Sequence, residues 1–262
     1  MTDLNANTAV SIEHFSTGDS TNALLKRRIS EGKISAVTAV SADEQTAGRG
    51  RRGRTWLNTE GALMMSAAFP LAGIDSDSIP LVSIAAALAT CSTIRSAGVN
   101  GVIKWPNDVI VMHEDNYCKL SGILSELASS PDGALYAVIG IGINANCRSM
   151  PENLMQPASS LLIEKGVETE IEPLAGKLLS ELVSEMDALK NDGSALLARY
   201  AEGCVTLGRN VKAQSMDGTV VAGEAVGLDS RGRLLIKSDE RTVAVGAADV
   251  SVHFLVKNPA EE

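Results

Sequence analysis

The chain has few cysteines, no long apolar segment and no basic amino terminus. Four cysteines in 262 residues stand far apart and form no C-x-x-C pair: Cys91, Cys118, Cys147 and Cys204. This spacing argues against a disulfide framework and favours reduced thiols in a cytoplasmic protein. The longest uncharged apolar-rich stretch, 81–94, is shorter than the roughly 20 residues that span a bilayer. The first lysine is Lys26, so we expect no secretory signal and no membrane contact.

Positive charge is also scarce. The 23 Lys and Arg stand against 32 Asp and Glu, which gives a formal net charge of −9. An acidic chain argues against a protein that binds nucleic acid over its whole surface. The three histidines, His14, His113 and His253, are scattered, and we interpret them as ordinary surface or packing residues. The sequence therefore offers no Cys/His or Ser/His arrangement for nucleophilic catalysis.

The apolar patterning predicts an α+β protein. At roughly 150 residues per domain, the length allows one large domain or two smaller ones. We predict a flexible tail over 1–13, an α+β domain over 14–203 and a small β-barrel over 204–262. Helices are predicted over 81–97 and 173–189, and the nearly all-apolar segment 134–143 predicts a central strand. Five short strands follow residue 204, separated by turns, as is typical of a small barrel.

One segment, 45–54, runs against the acidic trend. It has four arginines and three glycines and reads QTAGRGRRGR. Glycine lets the backbone approach a ligand, and a guanidinium recognises phosphate or carboxylate through two parallel hydrogen bonds. The segment thus favours an anion-binding loop, while a solvated basic loop or a nucleic-acid patch remains the alternative. No P-loop string occurs, and Gly48-x-Gly50-x-x-Gly53 opens no helix, so a dinucleotide fold is not predicted.

Three weaker clusters lie in the same predicted domain. They are KWPND at 104–108, KLSGIL at 119–124 and GIGIN at 140–144. Each alone suits an ordinary turn, a bulge or close backbone packing. Cations, one carboxylate and strands thinned by glycine, in one domain with the arginine segment, are together typical of a nucleotide site.

The order of these strings resembles the biotin protein ligase family. The resemblance covers DSTN at 19–22, QTAGRGRRGR with Trp56, KWPND, KLSGIL and GIGIN, and continues more loosely into the C-terminal domain. It implies a mixed-sheet catalytic domain of the biotin/lipoate ligase type followed by an SH3-like barrel. It also implies an enzyme that joins biotin to ATP as biotinyl-5′-AMP and then transfers biotin to a lysine.

The resemblance assigns roles to the matching positions. Catalytic roles fall to Lys119 and Arg51, and Asp108 would bind Mg²⁺. Biotin contacts are implied for Ser20, Thr21, Asn22, Gln45, Gly48, Arg49, Gly50, Arg51, Trp56, Lys119 and Gly122. ATP contacts are implied for Arg49, Arg51, Arg52, Arg54, Lys104, Asn107, Asp108, Lys119 and Asn144.

The expected partner is the biotin carboxyl carrier domain of an acetyl-CoA or acyl-CoA carboxylase. About 18 residues precede Asp19, so we expect no helix-turn-helix and no DNA binding, and an edge strand could support a homodimer. A lipoate ligase or lipoyl/octanoyl transferase is the nearest alternative, since it shares the fold. A non-enzymatic regulator that binds nucleic acid through Arg49 to Arg54 is the alternative of another class.

Overall fold

The computed structural model describes residues 10–114, 116–238, 241–247 and 250–255. Within these residues the chain forms a seven-stranded sheet, a five-stranded sheet and five α-helices. The strands of the larger sheet are β1 (Ile12–Gly18), β2 (Thr38–Gln45), β3 (Leu63–Pro70), β4 (Val102–Lys104), β5 (Asp108–His113), β6 (Asn116–Ser129) and β7 (Leu135–Ile143). The helices are α1 (Thr21–Ser30), α2 (Val82–Ser96), α3 (Leu161–Lys165), α4 (Ile171–Asn191) and α5 (Gly193–Gly203).

The larger sheet is mixed, as predicted. Its spatial order is β1-β2-β3-β7-β6-β5-β4, with β1 parallel to β2 and the other neighbours antiparallel. β7 lies at the centre, which confirms the interpretation of its apolar sequence. Its register places Gly140 beside Ser66 of β3 and Leu124 of β6. These three residues form a row across the middle of the sheet.

The amino-terminal strand corrects the predicted tail. β1 begins at Ile12, inside the segment 1–13, while residues 1–9 lie outside the described residues. Its sequence, IEHFSTG, shows no clear apolar alternation because β1 is an edge strand with mostly exposed side chains. Parallel pairing with β2 holds it in the sheet. β2 itself runs over Thr38–Gln45.

Helices cover both faces of the sheet. α1 packs Leu25 and Ile29 against Val40 and Val138 on one face. α2 lies on the other face, between the sheet and α4, and its many alanines permit close packing there. With the preceding 3₁₀ turn it makes a segment, Ser76–Ser96, that is long and apolar enough to cross a membrane by length and composition. Most of this segment is buried in the core, as expected for the core helix of a globular domain.

The C-terminal domain is a five-stranded antiparallel sheet. Its strands are β8 (Asn210–Ser215), β9 (Val220–Leu228), β10 (Leu234–Lys237), β11 (Thr242–Val245) and β12 (Val250–Phe254), in the order β11-β10-β9-β8-β12. In the described part of this domain β11 and β12 do not pair, so the predicted barrel is an open sheet. One carbonyl of β12, that of Val252, instead accepts a hydrogen bond from Lys104 of the first domain.

Buried contacts join the two domains. Trp105, fully buried, donates its backbone N–H to Thr206 Oγ1 (2.9 Å) and its indole N–H to Gly232 O (3.0 Å). The Val205 N–H donates to Ile103 O (2.9 Å). These bonds join the end of β4 to the C-terminal domain, and the bond from Lys104 to Val252 O places β12 beside the same end.

Candidate active site

A cavity opens over the central strands, and both domains contribute to its wall. Its floor comes from β3, β6 and β7, one end from α1 and β2, and the other end from β4–β6 and β12. The arginine segment passes over it. The lining includes Ser20, Thr21, Asn22, Gln45, Arg49, Gly50, Arg51, Arg52, Arg54, Trp56, Met64, Lys104, Asn107, Asp108, Lys119, Gly122, Gly140, Gly142, Gln156 and residues 250–253.

The end near α1 is lined by uncharged polar side chains, and most of them hydrogen-bond to one another. Ser20 is the N-cap residue of α1 and brings Thr21 and Asn22 to the cavity. Gln45, the last residue of β2, accepts from the Thr21 backbone N–H through Oε1 (2.8 Å). The hydroxyl of Ser66 contacts both Thr21 Oγ1 and Asn22 Oδ1 at 2.6 Å. Side chains locked to one another in this way suit a neutral polar ligand group.

The floor of the cavity is a channel of glycines that holds an indole ring. A Cβ on Gly142 would overlap the ring of Trp56, and one on Gly122 would come within 2.8 Å of its Cζ3 atom. Trp56 lies two residues beyond the arginine segment, and its Nε1 atom is buried without a hydrogen-bond partner. The glycines therefore make room for a flat group, which explains their place in otherwise apolar strands.

The opposite end of the cavity is charged. Lys119 Nζ on β6 lies 2.6 Å from Asp108 Oδ1 on β5, and Gln156 donates to Asp108 Oδ2 at 3.1 Å. Burial would raise the pKa of Asp108, but the charges of Lys119 and Lys104 and the hydrogen bonds from Lys119 and Gln156 outweigh it, so that the pKa is lowered. Asp108 is thus a carboxylate at neutral pH.

Lys104 is a second cation at this end. Its side chain is only 3% exposed, and its ammonium donates to Val252 O at 2.8 Å. Burial lowers the pKa of Lys104, and Asp108 acts in the opposite direction. A buried ammonium group has lost most of its contact with water. A phosphate beside it would replace that lost solvation, so the site favours an incoming anion.

The arginine segment folds back onto the protein. Arg51 Nη1 donates to Asn107 Oδ1 at 2.6 Å. Arg52 and Arg54 both donate to Ser251 Oγ on β12, at 2.6 Å and 2.9 Å. The turn that directs them has positive φ at Arg52 (59°) and Gly53 (71°). The segment therefore connects the seven-stranded sheet with the C-terminal domain across the mouth of the cavity.

The structure brings most predicted site residues together and leaves two outside the lining. Gly48 is a buried residue of the arginine segment, and a Cβ there would come within 2.7 Å of Trp56 O. Asn144 donates its amide to Ser159 O (2.9 Å) and Lys119 O (3.3 Å) and thereby joins β7 to neighbouring backbone. Gly48 shapes the loop and Asn144 supports β6, and their predicted contacts with ligand stay predictions.

Several residues in or behind the cavity wall escape prediction from the sequence. Gln156 lies in a segment without pattern, and Ser251 and His253 lie in the last strand of another domain. Ser66 lies in an apolar strand, fully buried behind Thr21 and Asn22. No local signal distinguishes them. The sequence singles out GIGIN, but only the structure shows that its first glycine, Gly140, lies against Asn22 Oδ1.

The donor set does not make a resident metal site. Asp108 is a single carboxylate whose two oxygens contact Lys119 and Gln156. No cluster of three or more His, Cys, Asp or Glu side chains that could hold an ion occurs within the described residues. Mg²⁺ commonly takes one or two carboxylates together with substrate phosphates. The residues present therefore do not fit an ion held by the protein alone.

Comparisons with known proteins agree with this two-domain site. The Biotin/lipoate A/B protein ligase family matches residues 15–144, and the Biotin protein ligase C terminal domain matches residues 206–252. The first match ends with β7, and the second covers most of the C-terminal sheet.

Similar proteins cover nearly the whole chain. It is 32% identical over 243 residues to the biotin–[acetyl-CoA-carboxylase] ligase of Mycobacterium tuberculosis, covering 91% of this chain and 86% of that protein. It is 34% identical over 224 residues to the bifunctional ligase/repressor BirA of Escherichia coli, covering 84% of this chain and 67% of that protein.

The fold is similar to that of a solved ligase. The biotin protein ligase from Aquifex aeolicus in complex with biotin and ATP superposes with a TM-score of 0.79 at 27% identity, covering 94% of this chain and 99% of that one. Since matches in sequence and structure both extend through the catalytic and C-terminal domains, the chain belongs to the biotin protein ligase family.

Proposed function

We propose that this protein is an ATP-dependent biotin ligase that works in two steps. In the first, a biotin carboxylate oxygen attacks the α-phosphorus of ATP, and the bond to pyrophosphate breaks. In the second, a lysine amine attacks the carbonyl carbon of biotinyl-5′-AMP and AMP leaves. The observation that carries the proposal is one cavity with a neutral, hydrogen-bonded end and a cationic end.

The two ends suit the two halves of such a reaction. The fused rings of biotin carry a neutral cyclic urea, which needs hydrogen-bond donors and acceptors and no charge, as Thr21, Asn22 and Gln45 offer. The triphosphate needs cations. The attack brings a carboxylate and a phosphate together, so Lys119 between the two ends would stabilise the charge that accumulates in the transition state.

Mg²⁺ would reach the site only as a complex with ATP. Mg²⁺ bound to the ATP phosphates would neutralise part of their charge, and Asp108 would provide at most one ligand to it. Lys104 and Lys119 remain the protein's own counter-charges at this end.

The arginine segment would protect the mixed anhydride from water. The segment is held over the cavity by two contacts. Arg51 donates to Asn107, and the Trp56 ring lies in the glycine channel. A loop that closes over a reactive intermediate excludes water until the acceptor arrives. Arg49, Gly50, Arg52 and Arg54 lie in the same segment, and their predicted ligand contacts would form when the segment closes over the cavity.

The acceptor in this proposal is a lysine of a biotin carboxyl carrier domain of an acyl-CoA carboxylase. We infer a cytoplasmic location from the supply of ATP there and from four free cysteines, of which three are buried. DNA binding is not part of the proposal, because Arg51, Arg52 and Arg54 contact Asn107 and Ser251 across the cavity mouth. A homodimer formed through an edge strand stays a prediction.

The decisive experiment is ATP–pyrophosphate exchange with biotin and, separately, with lipoate. We expect exchange that depends on biotin and is at least about a hundredfold slower with lipoate, because a site built for a cyclic urea leaves polar groups unpaired with a dithiolane. Equal or faster exchange with lipoate would transfer the assignment to a lipoate ligase. Absence of exchange with both would refute a ligase of this type.

A further inference from the structure

The neutral end of the cavity contains a hydrogen-bonded row that crosses three strands. Ser66 of β3, Gly140 of β7 and Leu124 of β6 are register partners. The Asn22 amide lies over Gly140, because a Cβ there would overlap Asn22 Oδ1. The amide thus reaches from β3 to β6 above a strand position that only glycine suits.

The carboxylate of Glu126 determines how this amide is oriented. Asn22 Nδ2 donates to Glu126 Oε2 (2.9 Å) and to Leu124 O (3.2 Å). Burial would raise the pKa of Glu126, but hydrogen bonds from Lys26 and Asn22 outweigh it and the pKa is lowered. A carboxylate and a carbonyl accept hydrogen bonds and cannot donate them, so the amide nitrogen faces both. Asn22 Oδ1 must therefore face Ser66.

The orientation of the amide in turn determines two hydroxyl directions. Ser66 Oγ lies 2.6 Å from Asn22 Oδ1 and 2.6 Å from Thr21 Oγ1. An amide oxygen only accepts, so the single proton of Ser66 goes to Asn22. At the second contact Thr21 must then be the donor, since two oxygens without a proton between them repel at this distance. The contact between Thr21 Oγ1 and Gln45 Oε1, at 3.2 Å, competes for the same proton and is longer.

A hydroxyl whose proton is committed can only accept from a ligand. Thr21 lines the cavity, so its free lone pairs are available to an incoming N–H group. We propose that Ser66 and Glu126 are positioning residues that keep the Thr21 hydroxyl an acceptor and so select a ligand ring with an N–H donor. The inference rests on the proposed function, in which the donor is an N–H of the cyclic urea of biotin.

The test compares two ligands that differ only in the N–H groups. Calorimetry would measure Kd for biotin and for its cyclic carbonate analogue, in which oxygen replaces both N–H groups. In Ser66→Ala the Thr21 hydroxyl loses its 2.6 Å acceptor and keeps only the longer, 3.2 Å contact to Gln45 Oε1, so it can turn toward the ligand. We expect Kd for biotin to rise about tenfold and Kd for the carbonate to change less than about twofold, because the acceptor is lost to one ligand only.

A second substitution and a control separate this role from folding. Glu126→Gln keeps size but lets the Asn22 amide turn over, and it should lower the biotin-to-carbonate preference about threefold. Thr90→Val removes another fully buried hydroxyl, one bonded to Ala86 O within α2, and should leave the preference unchanged. Equal changes of both Kd values in Ser66→Ala and Glu126→Gln, or no change in either, would overturn the inference. A wild-type protein without biotin-dependent exchange would instead refute the proposed function.

Discussion

The two ends of the cavity offer an incoming ligand different chemistry. At the neutral end, Thr21, Asn22, Gln45 and Ser66 hydrogen-bond to one another before any ligand arrives. At the charged end, Lys119 and Lys104 surround the single carboxylate of Asp108. A closed neutral network selects by the direction of its donors and acceptors, whereas an excess of cations attracts any phosphate.

This difference separates binding from chemistry. Changes at the neutral end should weaken affinity for the vitamin and spare ATP. Changes at the charged end should slow adenylation and spare the affinity for the vitamin. The substitutions that follow test this separation in decreasing order of expected effect.

Lys119→Ala should produce the largest loss. Removing the cation at the reacting centre should slow biotin-dependent pyrophosphate exchange by about a thousandfold, with Kd for biotin changed less than about threefold. Adding Asp108→Asn to Lys119→Ala removes the buried charge that would otherwise be left without its ion pair. Lys177→Ala on α4, which removes an exposed lysine paired with Glu181, serves as the control. Retention of more than a tenth of the exchange rate would contradict the assigned role.

Gly140→Ala should disturb the neutral end alone. The added Cβ displaces the Asn22 amide, so Kd for biotin should rise about a hundredfold while Kd for ATP stays within about twofold. Gly176→Ala in α4, where a Cβ would meet nothing within 4 Å, is the matched control. A parallel loss of ATP affinity in Gly140→Ala would mean that the ends are not independent.

Arg51→Gly should affect the retention of biotinyl-5′-AMP in the cavity more than the rate of its formation. Without the contact to Asn107 the segment holds the adenylate less firmly, so its escape, measured as biotin attached to lysines of a bystander protein, should rise about tenfold. Arg148→Gly removes an exposed arginine paired with Glu168 and should not release it. If Arg51→Gly forms adenylate yet labels only the carrier, Arg51 does not close the cavity.

Ser251→Ala should have the smallest effect. It removes one acceptor shared by Arg52 and Arg54, so the KM for ATP should rise about threefold with little change in the KM for biotin. Ser238→Ala, which loses a bond to Arg241 O in the same domain, provides the comparison. An equal rise of both KM values would mean that the C-terminal contact acts on the whole loop and not on the nucleotide end.

Sequence reasoning located cavity residues where residues of one kind cluster locally. The arginines at 49–54, Asp108 and Lys119 are recognisable because charge and glycine stand out from their surroundings. β1 escapes prediction because an edge strand need not alternate, so its first two residues fall within the predicted tail. Ser66 and Gln156 were missed because a serine in a strand or a glutamine in a loop carries no pattern of its own.

The order of apolar and polar residues along the chain was sufficient for the α+β class and for the central position of β7, while the anion-binding character of the arginine segment stays a prediction. The pairing of strands distant in sequence determined the rest. β3, β7 and β6 place Ser66, Gly140 and Leu124 in one row, and Ser251 of the C-terminal domain meets Arg52 and Arg54 at the cavity mouth. A hydroxyl direction or a contact between domains depends on partners scores of residues apart, and those partners meet only when burial of apolar surface closes the intervening loops.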